Sequence, residues 1–451
     1  MFKQITNGCV NLVNRWLPDA FLFAVILTFV VFIGALVFTG QGPVDVLANW
    51  GSNKSFWGLL TFSMQMVLIL VLGGAMATAK PFQRFLGSIA GLATTPRSAI
   101  IITVLISGIC MFFNWGFGLI AGALLAKEIA RRVKVDYRLI IASSYSAFSI
   151  WHGGISGSIP LSVAGPGVVE KMSGGLLHGV IPVTETIFHP MNLIIEGVML
   201  VAIALVCAAM HPDEENTVLV DPSLLATEEE KVHPKKVPAD SIEQSKIIWG
   251  LLCIMCFAYI VYNFAKYGFN LSLNSVNFIF LSVGLLLHGN LRNYVDAIVE
   301  NAKGSASIII QFPFYAGIMG IMISHAPGGQ SLAQMISNFF VSISTPNTYP
   351  LFTYLSAGIV NFFVPSGGGQ WAVQGPIVMP GAFHVGASAA LSAQALAYGD
   401  AWTNMIQPFW ALPALGVAGL SARDIMGYCI IVLIVCAIVT IPGLYLWAIL
   451  F

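Results

Sequence analysis

The chain has 451 residues, of which 57% are hydrophobic and 9% charged, where a soluble domain carries roughly a quarter. The 20 basic and 20 acidic residues cancel, and 13 of these charges fall between His211 and Lys246. So few charges elsewhere cannot cover a soluble surface, which excludes a soluble fold, a disordered or collagen-like chain and a nucleic-acid binder. What is left is an all-α polytopic membrane protein, embedded in a lipid bilayer.

Lys3 and Arg15 precede the apolar run Ala20 to Thr39, which is too long for a signal-peptide core and reads as a first span. A bilayer core takes about 20 helical residues. Full spans are expected at 18–39, 57–78, 191–210, 246–264, 273–289, 306–325 and 425–448. The stretches 138–165 and 387–420 are apolar but broken. The seven cysteines mostly sit in apolar runs and read as small buried hydrophobes, Cys253 and Cys256 included.

Basic residues mark the cytoplasmic side. Lys80, Arg84 and Arg97 form one cluster, and Lys127, Arg131, Arg132, Lys134 and Arg138 form another. The apolar stretch 98–127 lies between them, and a single crossing would part them. A re-entrant hairpin keeps them together, with legs 98–112 and 116–127 and its tip at Asn114-Trp115-Gly116-Phe117-Gly118. The N-terminus is then cytoplasmic, as are the segments 211–246 and 290–305. The charged, proline-containing stretch 211–245 reads as a mobile linker, and the C-terminus falls outside.

The two halves echo each other. Gln65 and Asn114 are 49 residues apart, and Gln311 and Asn361 are 50 apart. Trp151-His152-Gly153-Gly154-Ile155-Ser156-Gly157-Ser158 follows Asn114, as Trp402-Thr403-Asn404-Met405-Ile406-Gln407-Pro408 follows Asn361. This order suggests two inverted repeats, 1–210 and 265–451, with 246–264 as the linking span. The second repeat carries its own hairpin, 350–385, with a tip at Val364 to Trp371. Such repeats with discontinuous helices mark secondary transporters, whose substrate sits where the breaks meet.

Broken backbone in lipid persists where its polar groups face protein, water or ligand. Ser366-Gly367-Gly368-Gly369 can turn consecutive N–H groups toward one anion, and Gln370 adds an amide; close helix packing is the plainer reading of these glycines. Gly154, Ser156 and Ser158 form the companion break as further substrate candidates. Asn114, Asn361, Thr403 and Asn404 offer amides and a hydroxyl to substrate or cation, or else cap helix ends. Gln65 and Gln311 are expected to face inward and bond a hairpin tip. Asp400 is the only carboxylate between Leu351 and Leu420. It binds a coupling cation, carries a proton, or caps the unwound segment. His152 is either a proton carrier or a hydrogen-bonded packing residue. Glu196 faces a helix partner, and Trp151 and Trp402 line an apolar wall or simply pack. Neither tip and neither break holds Lys or Arg, which favours a small, partly apolar monocarboxylate over a dicarboxylate. No HExxH, GxSxG or clustered His and Cys suggests an enzyme. No cofactor is expected beyond a coupling ion, Na+ or H+; whether a metal ion binds is open.

The phrases Arg15-Trp16-Leu17-Pro18-Asp19, Asn114-Trp115-Gly116-Phe117-Gly118-Leu119, Pro365-Ser366-Gly367-Gly368-Gly369, Gln374-Gly375-Pro376, Gln407-Pro408-Phe409-Trp410-Ala411-Leu412-Pro413 and Arg423-Asp424-Ile425-Met426-Gly427-Tyr428-Cys429 carry a resemblance. The sequence resembles the bacterial short-chain fatty acid transporter family over nearly its whole length. That resemblance implies uptake of acetoacetate, butyrate or a similar acid across the bacterial cytoplasmic (inner) membrane. It also implies a homodimer and an elevator motion, as in the wider group of ion-coupled carboxylate transporters. Those transporters often carry Ser-Asn-Thr at their hairpin tips. Phe113-Asn114-Trp115 and Pro365-Ser366-Gly367 stand here instead, which keeps proton coupling open beside Na+. The alternative is a carrier of another small organic anion, a dicarboxylate or a hydroxy acid.

Overall fold

A backbone surrounded by lipid must satisfy its own N–H and C=O groups, and helices do so within one segment. The computed structural model describes residues 20–225, 237–268, 273–303, 305–362, 365–407 and 410–451, and every regular element among them is helical. Expectations placed on Lys3, Cys9 and Arg15 to Asp19, on 226–236 of the linker, on Phe363 and Val364, and on Pro408 and Phe409 lie outside the described residues.

The first half runs through α1 (Ala20–Phe38), α2 (Pro43–Gly51), α3 (Leu60–Ala77), α4 (Lys80–Ala90), α5 (Pro96–Phe113) and α6 (Trp115–Ala130). Then come α7 (Tyr137–Ser146), a 3-10 segment (Ala147–Gly153), α8 (Ser158–Val163), α9 (Val168–Ser173) and α10 (Pro190–Ala209). The second half has α11 (Pro238–Glu243), α12 (Lys246–Tyr267), α13 (Leu273–His288), α14 (Leu291–Lys303), α15 (Ala306–Ile323) and α16 (Leu332–Ser342). It closes with α17 (Tyr349–Asn361), α18 (Gly367–Val385), α19 (Ala389–Thr403), a 3-10 turn (Asn404–Ile406), α20 (Leu412–Ala418) and α21 (Ala422–Leu450).

Among the described residues, four helices are long and apolar enough to cross a membrane: Pro96–Phe113, Pro190–Ala209, Pro238–Tyr267 and Ala422–Leu450. Shorter apolar helices occupy Ala24–Phe38, Asn274–His288 and Ile309–Ile323. Phe29, Val37, Ile254, Val261 and Ile438 are each between 63% and 67% exposed. That outer surface suits acyl chains and not water.

Helix α5 starts where Thr95 accepts a hydrogen bond from the Ser98 N–H and Pro96 takes the first helical position. It stops at Asn114, whose extended backbone (φ −157°) breaks the helix and whose Oδ1 accepts the Phe117 N–H at 2.9 Å. The chain then turns back. A methyl group on Gly118 would lie 2.2 Å from Met111, and one on Gly122 2.4 Å from Ser107 Oγ. Those close approaches across the tip pair the two legs antiparallel. The legs exceed the expected 98–112 and 116–127, because the Thr95 cap starts the first leg early and the basic end of α6 is itself helical.

The second hairpin pairs α17 with α18. Tyr349 Oη donates to the Val378 carbonyl at 2.9 Å, and Gln370 Nε2 donates to the Ala357 carbonyl at 2.7 Å. Here the expectation needs correction. Gly367, Gly368 and Gly369 do not form an irregular loop cradle; they are the first turn of α18, and none has a positive φ. The reason is Ser366, whose Oγ accepts the Gly369 N–H at 3.3 Å and caps the helix there.

Three further corrections concern polar segments. The stretch around Lys80, placed with Arg84 and Arg97 in one loop, and the segment 290–305, for which no element was expected, contain the amphipathic helices α4 and α14, burying Leu86 and Ala90, and Tyr294. The start of the charged linker is docked. Asp136, 0% exposed, accepts the Leu139 and Val218 N–H groups (each 2.9 Å), and the Val218 carbonyl accepts the Tyr137 N–H at 2.8 Å. Gln65 is half-buried and donates to Asn274 Oδ1 on α13 at 2.8 Å rather than to a hairpin tip. Gln311 is buried with its Oε1 unpartnered. The described cysteines are free, and all but Cys110 are buried.

Candidate functional site

Two close packings set the stage. Gly154 lies against the end of α5: a methyl there would be 2.4 Å from the Phe112 carbonyl oxygen, which also accepts the Ile155 N–H at 2.6 Å. Gly399 lets α19 close on α17, since a methyl would be 2.3 Å from the Tyr354 carbonyl oxygen. Each broken helix is thereby drawn against the hairpin that precedes it.

Each tip then engages a break. The Trp115 N–H, the first of α6, donates to Ser156 Oγ at 2.9 Å. Asn361, at the end of α17, donates through Nδ2 to the Asp400 carbonyl (2.8 Å), Thr403 Oγ1 (2.8 Å) and Asn404 Oδ1 (3.1 Å). Gln407 Nε2 donates to the Asn361 carbonyl, and Thr403 Oγ1 to the Gly358 carbonyl at 3.0 Å.

The halves also join each other here. His152 Nδ1 and Asp400 Oδ2 are 2.9 Å apart, with both side chains 0% exposed. The Ile159 N–H points at His152 Nε2 at 3.2 Å. A backbone N–H can only donate, so Nε2 carries the lone pair and Nδ1 the hydrogen that goes to Asp400. Ser158 Oγ is 3.1 Å from the same Nε2. Gly367 of the second tip sits on this group: a methyl would be 2.3 Å from His152 Cε1 and 2.4 Å from Ser158 Oγ. Tyr145 Oη donates to the Asn404 carbonyl at 2.8 Å.

The fourteen residues read from the sequence as substrate or coupling-ion candidates fall in or beside one cluster, though their hydrogen bonds differ in use. Ser156, Ser158, Gln370 and Thr403 are engaged by protein partners, and Gly154 serves close packing. The polar atoms left over are Asn114 Nδ2, Asn361 Oδ1, Gln370 Oε1, Asp400 Oδ1 and Asn404 Nδ2, all buried and without a partner. The N–H groups of Gly367 and Gly368, in the first turn of α18, have no acceptor within their helix. No lysine or arginine is buried among the described residues. Nor does any group of three or more His, Cys, Asp and Glu there converge as metal ligands.

Of the aromatic floor, the sequence pointed to Trp151 but not to the roles of Trp115, Phe148 and Trp410. Trp115 meets Trp410 edge-on at 4.9 Å and Trp151 at 6.2 Å, Phe148 stacks on Trp151 at 5.4 Å, and Trp151 stacks on His152 at 4.0 Å. Trp410 Nε1 donates to the Pro365 carbonyl at 3.1 Å, tying the second break to the second tip. Trp402, by contrast, stacks on Tyr354 and bonds the Leu433 carbonyl, as a packing residue does.

An all-α bundle with an apolar outer surface and a sealed polar centre is the build of a polytopic membrane transporter. The solved structure of the Alcanivorax borkumensis YdaH transporter shares the fold, with a TM-score of 0.50 at 15% identity over 96% of this chain and 98% of that one. The family model for short chain fatty acid transporters matches residues 1–447, and the chain belongs to that family. Two curated relatives, each called a putative short-chain fatty acid transporter, are similar along their entire length. The Haemophilus influenzae protein is 42% identical and the Escherichia coli K12 protein 41%, each over 99% of this chain and 100% of its own. Transport of short-chain monocarboxylates, the function read from the sequence, is the one this membership carries.

Proposed function

We propose that the chain is a secondary active carrier of short-chain monocarboxylates such as butyrate or acetoacetate, working by alternating access in the bacterial inner membrane. The observation that carries this reading is the seating of the Ser366-capped start of α18 on the His152–Asp400 pair. A helix N-terminus there offers N–H groups and a positive dipole end to a carboxylate. The apolar tail lies toward Trp115, Trp151 and Trp410. With no buried lysine or arginine at hand, one negative charge is what such a seat can neutralise.

Asp400 Oδ1 and Asn361 Oδ1, buried and unpartnered, are the acceptors for the coupling cation, Na+ or H+. The repeats 1–210 and 265–451 are inverted about the linker 211–245 and the linking span 246–264, with a cytoplasmic N-terminus and both hairpins re-entrant. Asn114, His152, Asn361, Gln370, Asp400 and Asn404 are each 0% exposed, so the centre must open to load. The hairpin-bearing core of a homodimer rises and falls to open it, as an elevator.

The test is uptake of labelled acetoacetate by proteoliposomes in competition with butyrate, lactate and succinate. Butyrate is expected to compete best. Succinate outcompeting butyrate would replace the monocarboxylate reading with a dicarboxylate one.

A further inference from the structure

A second buried acid lies beside the site and belongs to none of its hydrogen bonds. Glu196 on α10 is 5% exposed, and neither carboxylate oxygen has a hydrogen-bond partner. It abuts the first broken helix: a methyl on Gly153 would lie 2.0 Å from Glu196 Oε1 and 3.0 Å from Asn192 Oδ1. Asn192, one turn earlier on α10, is fully used. Its Nδ2 donates to the Gly153 and Ile187 carbonyls (3.0 and 2.8 Å). Its Oδ1 accepts Gln394 Nε2 at 2.9 Å and Tyr398 Oη at 2.6 Å.

The ionisable groups around Glu196 leave it uncompensated. Tyr398 of α19 lies within hydrogen-bonding reach, but its single hydroxyl proton is engaged by Asn192 Oδ1 at 2.6 Å and it carries no positive charge. Cys436 of α21, a buried thiol nearby, offers no positive charge. In the 3-10 segment, His152 is taken by Asp400, and on α7 Tyr145 is taken by the Asn404 carbonyl. The buried face of α5 (Ala99, Ile100, Thr103, Val104, Ser107, Gly108, Met111) has no ionisable group. No basic side chain pairs with Glu196 among the described residues.

An ionised carboxylate enclosed in this way costs several kcal/mol, whereas a neutral acid does not. Glu196 is therefore an acid while the site is sealed and becomes a carboxylate only when water reaches Gly153. We propose that Glu196 carries a proton through the transport cycle together with the monocarboxylate. Its O–H bond forms from water on the side of loading and breaks to water on the side of release. The proton on Glu196 offsets the charge of the monovalent anion, in addition to the cation held at Asp400. The inference rests on the transport reading above and adds to it a second titrating residue, across Gly153 from Asp400.

The test compares wild type with Glu196→Gln in sodium-free proteoliposomes, using labelled acetoacetate and protein-free vesicles as the blank for passive leak. Wild type is expected to accumulate the label when the outside is made acidic. The variant is expected to lose at least tenfold of that accumulation while still exchanging external label for internal acetoacetate at a rate close to wild type, with a flat pH profile. Wild-type accumulation that follows a Na+ gradient and ignores the pH gradient would overturn the proposal. So would acid-driven accumulation by the variant equal to wild type, or loss of exchange and accumulation together, which marks a structural residue. A wild type that exchanges no monocarboxylate contradicts the transport reading itself and removes the basis of the proposal with it.

Discussion

Asp400→Asn is expected to cut cation-driven accumulation of substrate at least tenfold and to flatten its dependence on the driving cation. The substitution preserves size and leaves an acceptor oxygen for the His152 Nδ1–H, 2.9 Å away. What it deletes is a formal charge at a site with no exposure. The hydrogen bond to His152 is kept and a neutral amide is cheaper to bury than a carboxylate, so the folded protein should be no less stable. The cation loses its anionic ligand, and a tenfold loss corresponds to about 1.4 kcal/mol, well within the value of one charge-assisted contact. Proteoliposome uptake under imposed gradients, read beside the melting temperature in detergent, checks both halves of the statement. A variant with unchanged accumulation and cation dependence would move the coupling site elsewhere.

Gly367→Ala should be as damaging by a different route. The added methyl would lie 2.3 Å from His152 Cε1 and 2.4 Å from Ser158 Oγ, closer than real carbon contacts allow. The imidazole cannot step aside: it stacks on Trp151 at 4.0 Å, and both nitrogens are engaged. Overpacking of this kind costs about 1–3 kcal/mol, and here it falls on the seating of the second tip. Transport is expected to drop roughly 10- to 100-fold, read as initial uptake rate per folded protein. Gly416→Ala is the control, because nothing lies within 4 Å of its added methyl. It should leave uptake intact. Equal loss in both variants would mean that the effect is not the contact with His152.

How far the sequence could be read differs by feature. The break at Asn114 was legible because an asparagine between two apolar runs marked the turn. Ser366 was legible as a special position before three glycines; that the glycines open a helix capped by Ser366 was not, because glycine is a poor helix former. The amphipathic helices α4 and α14 were hidden, because charges spaced for one helical face look like a polar loop when scanned for spans. The His152–Asp400 contact joins residues 248 positions apart, and no local pattern encodes it. Trp410 and Glu196 gave only weak signals: a tryptophan among prolines, and one acid within an apolar helix. Their meaning depends on which neighbours lack partners, and that is a property of packing.

The junction of tips and breaks requires that the first hairpin turn back at Asn114 within the membrane, so that its two ends share one side. Single cysteines at Arg97 and Arg132, both exposed, in a chain cleared of native cysteines, can be labelled with an impermeant maleimide in right-side-out and inverted vesicles. Labelling of both positions from the cytoplasmic face alone is the expected result. Labelling from opposite faces would make this segment a simple crossing and dissolve the junction of tips and breaks.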